Sequence, residues 1–209
     1  MTEAKRVILV GAGRFAEEVT DVARMAGVEI AAWIEGLDAA RARVHPAPPI
    51  LWVEEQRDFE PDVPIVPAIG AVARRGIVER LVAEGRRLTT IVHPSAVVAP
   101  SARLEPGCVV FPNVVIGARA RIGTATIVNR GALVGHHTEI GAYSFVGPGA
   151  NLAGAIHVGE QVYVGVGAVV RDGMRIGEHA MIGAGAVVVA DVAEGTTVFG
   201  VPARPLPGR

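Results

Sequence analysis

Between Val98 and Val188 every sixth residue is Leu, Ile or Val, without exception or insertion. The series begins Val98, Leu104, Val110, Ile116, Ile122, Val128 and keeps step to Ile176, Ile182 and Val188. Gly commonly follows this apolar anchor, as at Gly117, Gly135, Gly159 and Gly183. A mostly small side chain comes four places after it, as at Ala102, Cys108, Thr126 and Ser144. A period of six is neither the 3.6 of a helix nor the alternation of an ordinary strand. It is the period of a hexapeptide parallel β-helix, in which three short strands and three tight turns close one triangular coil. Fifteen hexads make five coils of eighteen residues. The anchors are expected to point into the prism and stack about 4.8 Å apart along its axis. The small residue faces inward too, because a narrow triangular interior has no room for three large side chains per layer. The Gly after the anchor is expected to supply backbone conformations that a β-carbon penalises.

Upstream of the repeat the pattern changes. Arg6–Val10 is an apolar run, and Gly11-Ala12-Gly13-Arg14-Phe15-Ala16 opens a helical pattern that continues to Met25. Strand, glycine turn and helix make a Rossmann-like βαβ unit, whose glycines admit a phosphate to the backbone and whose helix offers it free N–H groups. A second strand, Ile30–Ile34, ends in Glu35, where a ribose or base contact is expected. A Pro-rich stretch follows around His45. A further strand then ends at Ala68-Ile69-Gly70, a helix covers roughly Val72–Glu84, and a last strand, Leu88–Val92, leads into His93-Pro94. About ninety residues are too few for a full two-half dinucleotide fold. They fit a mononucleotide or nucleotide-sugar headgroup better than a dinucleotide, or a remnant that merely positions the β-helix. The chain therefore divides into an α/β headgroup domain (1–92), a parallel β-helix (93–190) and a C-terminal segment (191–209).

Composition narrows the partners. A net charge of −1 gives no electrostatic case for nucleic acid or an anionic membrane. No apolar run is long enough to span a bilayer, and the chain opens on a strand rather than a charged-then-apolar leader, as expected of a soluble cytoplasmic protein. The single cysteine, Cys108, occupies an inward small-residue slot and reads as core packing rather than a nucleophile.

Hexapeptide β-helices commonly transfer acyl groups, which requires a base to deprotonate an amine or hydroxyl attacking a thioester. Histidine suits that role. Of the six histidines, His45 and His93 lie in a Pro-rich loop and at the domain junction, and His157 and His179 occupy ordinary outward positions. His136-His137 follows the Val134-Gly135 turn signal and so lies at a coil edge, which makes His136 the candidate base.

The whole chain resembles the sialic-acid O-acetyltransferase and nucleotide-amino-sugar N-acetyltransferase family of bacillosamine and perosamine type. The resemblance covers the headgroup domain, His93-Pro94-Ser95-Ala96, the uninterrupted coils and the closing Gly200-Val201-Pro202-Ala203-Arg204. It implies a left-handed β-helix, a homotrimer with sites between subunits, and direct acetyl transfer to the amine of a nucleotide-linked amino sugar. His136, two places after its anchor, is implied as the base. Acetyl-CoA is implied as donor, with Gly154, Gly183 and Arg204 on its side and the Gly154 N–H toward the thioester carbonyl. Gly11, Gly13, Arg14, Glu35, Gly70, Asn129 and His137 are implied on the acceptor side, and no metal is implied.

The chain departs from that family's pattern in places. The residue after the catalytic histidine is usually Asp or Glu there and is His137 here, which leaves Glu139 or a neighbouring subunit to orient the imidazole. Gly13-Arg14-Phe15 stands for a common Ser-Gly-His, and Ala71-Val72 for an Asp or Asn after the second glycine turn. Three other readings stay open: acetylation of a sugar hydroxyl, a non-catalytic sugar-nucleotide binding or pathway-partner protein, and a zinc carbonic anhydrase, which needs three converging imidazoles. The prism's ends need covering; the headgroup domain is expected to cap one, and Asp191–Arg209 to cap or trail from the other.

Overall fold

The computed structural model describes residues 5–36 and 48–206, so His45 lies outside the described residues. The N-terminal unit is a four-stranded parallel sheet. Its strands are β1 (Arg6–Val10), β2 (Glu29–Glu35), β3 (Ile50–Trp52) and β4 (Ile65–Pro67), in the order β3-β2-β1-β4. α1 (Arg14–Met25) packs Ala16, Val19, Val22 and Ala23 into the core, and the Trp33 indole N–H on β2 donates to the Thr20 hydroxyl of α1 at 3.2 Å. A 3-10 turn, Val72–Arg74, runs straight into α2 (Arg75–Ala83). β3 follows a Pro-rich stretch and was not anticipated: three residues carry too little periodicity to stand out.

Residues 88–92 cross from this unit into the repeat. Leu88 bridges Ile65 of β4, and β5 (Ile91–Val92) already pairs with Val109–Val110 of the next coil. From there two-residue strands recur every six residues and pair in parallel eighteen residues apart, as in Arg121↔Glu139 and Leu133↔Asn151. The result is a three-faced parallel β-helix whose anchors are buried. The last coil is two residues short, since Ile182 pairs with Val198 and Ile176 bridges Val192. Thr197–Phe199 then extends the ladder, and Arg204–Pro205 folds back antiparallel to it.

The corners have a fixed grammar. Positive φ falls three places after the anchor, at Asn113, Arg119, Ala125, His137, Tyr143 and at Gly131, Gly149 and Gly167 among others. The Gly directly after the anchor has a different cause from the one expected. Its φ is ordinary, but a β-carbon there would collide with the backbone of the following coil, 2.8 Å from His136 N at Gly117 and 2.6 Å from Ala142 N at Gly123. Close approach, not conformational freedom, selects it. Inward hydroxyls serve the same corners: Thr126 donates to Gly141 O at 2.9 Å, Thr138 to Ala153 O at 2.9 Å and Ser144 to Gly159 O at 3.1 Å. Cys108 fills the same slot with its Sγ 3.3 Å from Gly123 O, and burial pushes its thiol up to about 12, which fits packing rather than nucleophilic chemistry.

The three outer faces differ in character. One carries Val109, Ile127, Phe145 and Tyr163 and is covered by the N-terminal unit, with Phe15 at 5.6 Å from Phe111 and 6.2 Å from Phe145. Buried Arg74 pins the unit there, donating to Ala125 O at 2.9 Å, Ser144 O at 2.6 Å and Ala71 O at 3.0 Å. A second face is charged, with Arg103, Arg121, Glu139, His157 and Arg175 in one ladder. The third carries Val97, Val115, Leu133, Asn151 and Val169 and is exposed. The N-terminal unit thus lies along one face and does not cap the prism end, contrary to the sequence expectation. The first coil instead opens on a cavity of about 800 Å³ lined by Ala96, Val98, Ala102 and Leu104. Aromatic contacts from Phe15 draw the unit sideways onto Phe111 and Phe145. Among the described residues no helix is long and apolar enough to cross a membrane.

Candidate active site

His136 and His137 occupy the corner that follows the strand Leu133–Val134, between the exposed apolar face and the charged one. Both side chains are exposed. The coil fixes their backbones: His137 N donates to Ala118 O at 2.9 Å, and His136 O accepts from Ala155 N at 2.7 Å. His137 has φ +57°, and the turn directs its ring back at its neighbour. The two Nδ1 atoms stand 3.0 Å apart, with ring planes at 85°.

Gly154 lies one coil beyond His136 and at the same corner position. A β-carbon on Gly154 would fall 2.5 Å from His136 Cε1 and 2.6 Å from Nε2, so the absent side chain is what lets the imidazole lie across the next coil. The Gly154 carbonyl accepts from Gly173 N at 3.0 Å, while its N–H has no backbone acceptor among the described residues. His136 N is in the same state, because this turn pairs the first and third residues after the anchor and leaves the second N–H unused. A free N–H beside the His136 Nε2 edge has the chemistry of an oxyanion donor.

Glu139 does not orient His136. Its carboxylate points along the charged face, 3.5 Å from His157 Nδ1 and 3.9 Å from Arg121 Nε. Strand alternation explains the difference, since residue 139 faces out from the next strand rather than back to the corner.

Most residues expected on the acceptor side gather at the carboxyl edge of the N-terminal sheet, where open parallel sheets bind ligands. Gly11 follows β1 with φ +128°, donates to Ile34 O at 2.8 Å, and has no room for a β-carbon, which would sit 2.7 Å from Ala68 O. Gly13 caps α1 with no side-chain bond to the free N–H groups of its first turn, and Arg14 is exposed beside them. Gly70 packs against the Phe15 ring. Glu35 is buried and accepts from Gly36 N at 3.0 Å. Asn129 is likewise buried, its Oδ1 accepting from Arg130 N at 2.7 Å. It lies one coil beyond Phe111, the ring that stacks on Phe15, and Arg130 reaches Glu18 of α1 at 3.5 Å. Asn129 therefore lies where the β-helix meets the N-terminal unit.

Asn129 and His136 stand at opposite edges of the exposed apolar face, with Leu133–Val134 between them. The first corner turns at Gly131 with φ +67° and the second at His137 with φ +57°, so the whole width of that face separates the two side chains. At the far end, Gly183 is covered by the Phe199 ring and bonded through its N–H to Val198 O at 2.8 Å. Arg204 is exposed, with no carboxylate partner among the described residues. Sequence reasoning missed Phe15, Arg74 and Arg130, whose contacts join separate domains and leave no local signal. Among the described residues no group of three His, Cys, Asp or Glu side chains is placed to hold a metal ion.

No family model and no curated protein matches the chain. Solved structures do. A mutant of perosamine N-acetyltransferase from Caulobacter crescentus, with Asn in place of a histidine and in complex with CoA and GDP-perosamine, is 33% identical, with 100% of each chain covered and a TM-score of 0.90. The acetyltransferase domain of PglB from Neisseria gonorrhoeae FA1090, in complex with acetyl coenzyme A, is 31% identical over 97% of this chain and 100% of its own, with a TM-score of 0.89. The chain belongs to the bacillosamine- and perosamine-type hexapeptide acyltransferase family. WeeI from Acinetobacter baumannii AYE is similar as well, at 27% identity over 96% of this chain and 100% of its own, with a TM-score of 0.86. As a member of this acyltransferase family the protein is an enzyme, and its non-catalytic reading falls away.

Proposed function

We propose that the protein transfers the acetyl group of acetyl-CoA to the amine of a nucleotide-linked amino sugar, with His136 as general base. The observation that carries this reading is the placement of the His136 Nε2 edge over Gly154, beside an N–H without a backbone partner. The sugar nitrogen attacks the thioester carbon while His136 Nε2 takes its proton. The N–C bond forms, the C–S bond breaks with its electron pair leaving on sulfur, and the thiolate is reprotonated from the imidazolium or water. The Gly154 N–H meets the developing oxyanion. Much of the acceleration comes from holding two substrates together.

The small parallel sheet with its glycine turn is read as a Rossmann-like headgroup unit, and the β-helix as left-handed. Gly11, Gly13, Arg14, Glu35 and Gly70 face the nucleotide at the sheet's carboxyl edge, with Asn129 beside them. Acetyl-CoA runs along the coil corners, with Arg204 free for a phosphate; Gly183, bonded within the chain and covered by Phe199, shapes that end rather than donating to the ligand. The exposed apolar face supports a homotrimer. Another subunit docked there brings its His136 corner to the Asn129 corner of the first and closes the gap that one chain leaves.

Purified wild-type and His136→Ala protein, mixed with acetyl-CoA and UDP-, GDP- and dTDP-linked amino sugars, test the reading by thiol release. Release with one nucleotide class, falling about 10²–10⁴-fold in His136→Ala, is the expected outcome. Undiminished release by His136→Ala would remove the base, and the matching hydroxy sugar distinguishes O- from N-transfer.

A further inference from the structure

We propose that His137 is a positioning residue for His136: its Nδ1 accepts the His136 Nδ1 hydrogen, holding the His136 Nε2 lone pair free toward the attacking amine. This rests on the reading of His136 as the base. It reassigns His137, which the family resemblance places among the acceptor contacts, to the interior of the catalytic pair.

Two imidazole nitrogens 3.0 Å apart hold one hydrogen between them. With both rings neutral, two arrangements satisfy that contact. In one, His136 carries the hydrogen on Nδ1 and keeps its lone pair on Nε2, while His137 carries its own hydrogen on the outer Nε2. In the other the roles are exchanged, and His136 Nε2 is blocked. Only the first can remove a proton at the Gly154 edge, where Nε2 lies. When Nε2 takes the substrate proton, His136 becomes an imidazolium, and its Nδ1–H bond to neutral His137 becomes charge-assisted and stronger. The pair is therefore held more tightly in the transition state than in the ground state, which is the condition for a contribution to rate.

No other group among the described residues takes this part. Glu139 is engaged with His157 and Arg121 on the charged face. Arg119, at the His137 position one coil earlier, brings positive charge to that corner, and Asp172 stands at the His136 position two coils on, beyond Gly154. Neither is bonded to either imidazole, and His136 has no carboxylate partner among the described residues. The backbone fixes the pair instead. Positive φ at residue 137 sets the ring direction, and the bonds to Ala118 and from Ala155 prevent the corner from opening.

That positive φ also makes the test clean, because Gly, Asn and Asp all tolerate it. His137→Gly keeps the turn and removes the acceptor; His137→Asn keeps the turn and restores an acceptor oxygen; His137→Asp supplies a carboxylate. Each is compared with wild type by kcat and KM across pH, with melting temperature as the check on folding. The expected result is a kcat about 10- to 100-fold lower in Gly with both KM values little changed, and recovery of most of that loss in Asn. The Asp variant regains kcat and shifts the acid limb of its profile to higher pH, since an anion beside the imidazolium favours the protonated form. Wild-type kcat in the Gly variant overturns the proposal. So does a raised sugar KM at constant kcat, which makes His137 a substrate contact, or equal losses in Gly and Asn. Failure of the underlying reading looks different: His136→Ala then keeps its activity whatever residue stands at 137.

Discussion

At the residue scale, the site rests on one missing methyl group. Gly154→Ala places a β-carbon where His136 Cε1 and Nε2 now lie, and the imidazole rather than the coil backbone gives way. The displaced ring leaves both the Gly154 edge and the His137 contact, so kcat is expected to fall at least about tenfold. The melting temperature should stay near that of wild type, because the corner is exposed. Steady-state kinetics with a melting curve check this; full activity in the variant would mean that the imidazole does not work from this position. His136 was legible in the sequence because a six-residue period assigns every residue to a face or a corner, and one corner carries two successive histidines, whereas His179 stands alone on another. Its partner was not. The contact between Nδ1 atoms depends on positive φ at residue 137, and the repeat marks that position by the corner's geometry, not by residue type: Gly, Asn, Arg, Ala, Tyr and His all occupy it.

At the element scale, the β-helix was legible down to single residues and the N-terminal unit only in outline. Each coil repeats one set of contacts, so fifteen hexads state the same rule fifteen times. The short β3 states nothing twice, and the docking of the unit on the helix depends on pairs far apart in sequence. Arg74 shows this most clearly: it sits in a 3-10 turn among other arginines, yet it is buried and bonded to carbonyls 51 and 70 residues away. Burial lowers its guanidinium to about 10, which leaves it charged at neutral pH. Arg74→Met keeps much of the side chain's apolar length and removes its donors, stranding the Ala125 carbonyl, while the Ser144 carbonyl keeps only its bond from Ile127 N. A loss of about 2–4 kcal/mol is expected in urea unfolding. The Phe15–Phe111 stack and the Arg75–Glu160 pair at 3.0 Å remain to keep the unit attached, but with Arg74 gone it should loosen before the β-helix unfolds. Early loss of intrinsic fluorescence from Trp33 and Trp52, both in the N-terminal sheet, reports that order. A single transition at the wild-type midpoint would show that the guanidinium is not what holds the unit.

At the scale of the whole molecule, the three faces assign three tasks. One carries the N-terminal unit, one is charged, and the third is apolar and exposed through Val97, Val115, Leu133 and Val169. Asn129 and the N-terminal unit border that third face on one side, and His136 borders it on the other. A site completed between chains predicts complementation. His136→Ala retains the headgroup edge and Asn129 but lacks the base; Asn129→Ala retains the base but lacks Asn129 at the acceptor edge. Each alone should be impaired. Co-expressed in equal amounts, they are expected to assemble trimers in which roughly a quarter of the interfaces pair an intact Asn129 corner with an intact His136 corner. Thiol release should then rise well above the mean of the two separate variants, toward about a quarter of wild type. Leu133→Arg in both chains puts a charge in the middle of the face, and should abolish the recovery together with the trimer peak in analytical ultracentrifugation. No recovery from trimers shown to contain both chains would put His136 and Asn129 in the same chain's site. The exposed apolar face would then join subunits without taking part in the chemistry.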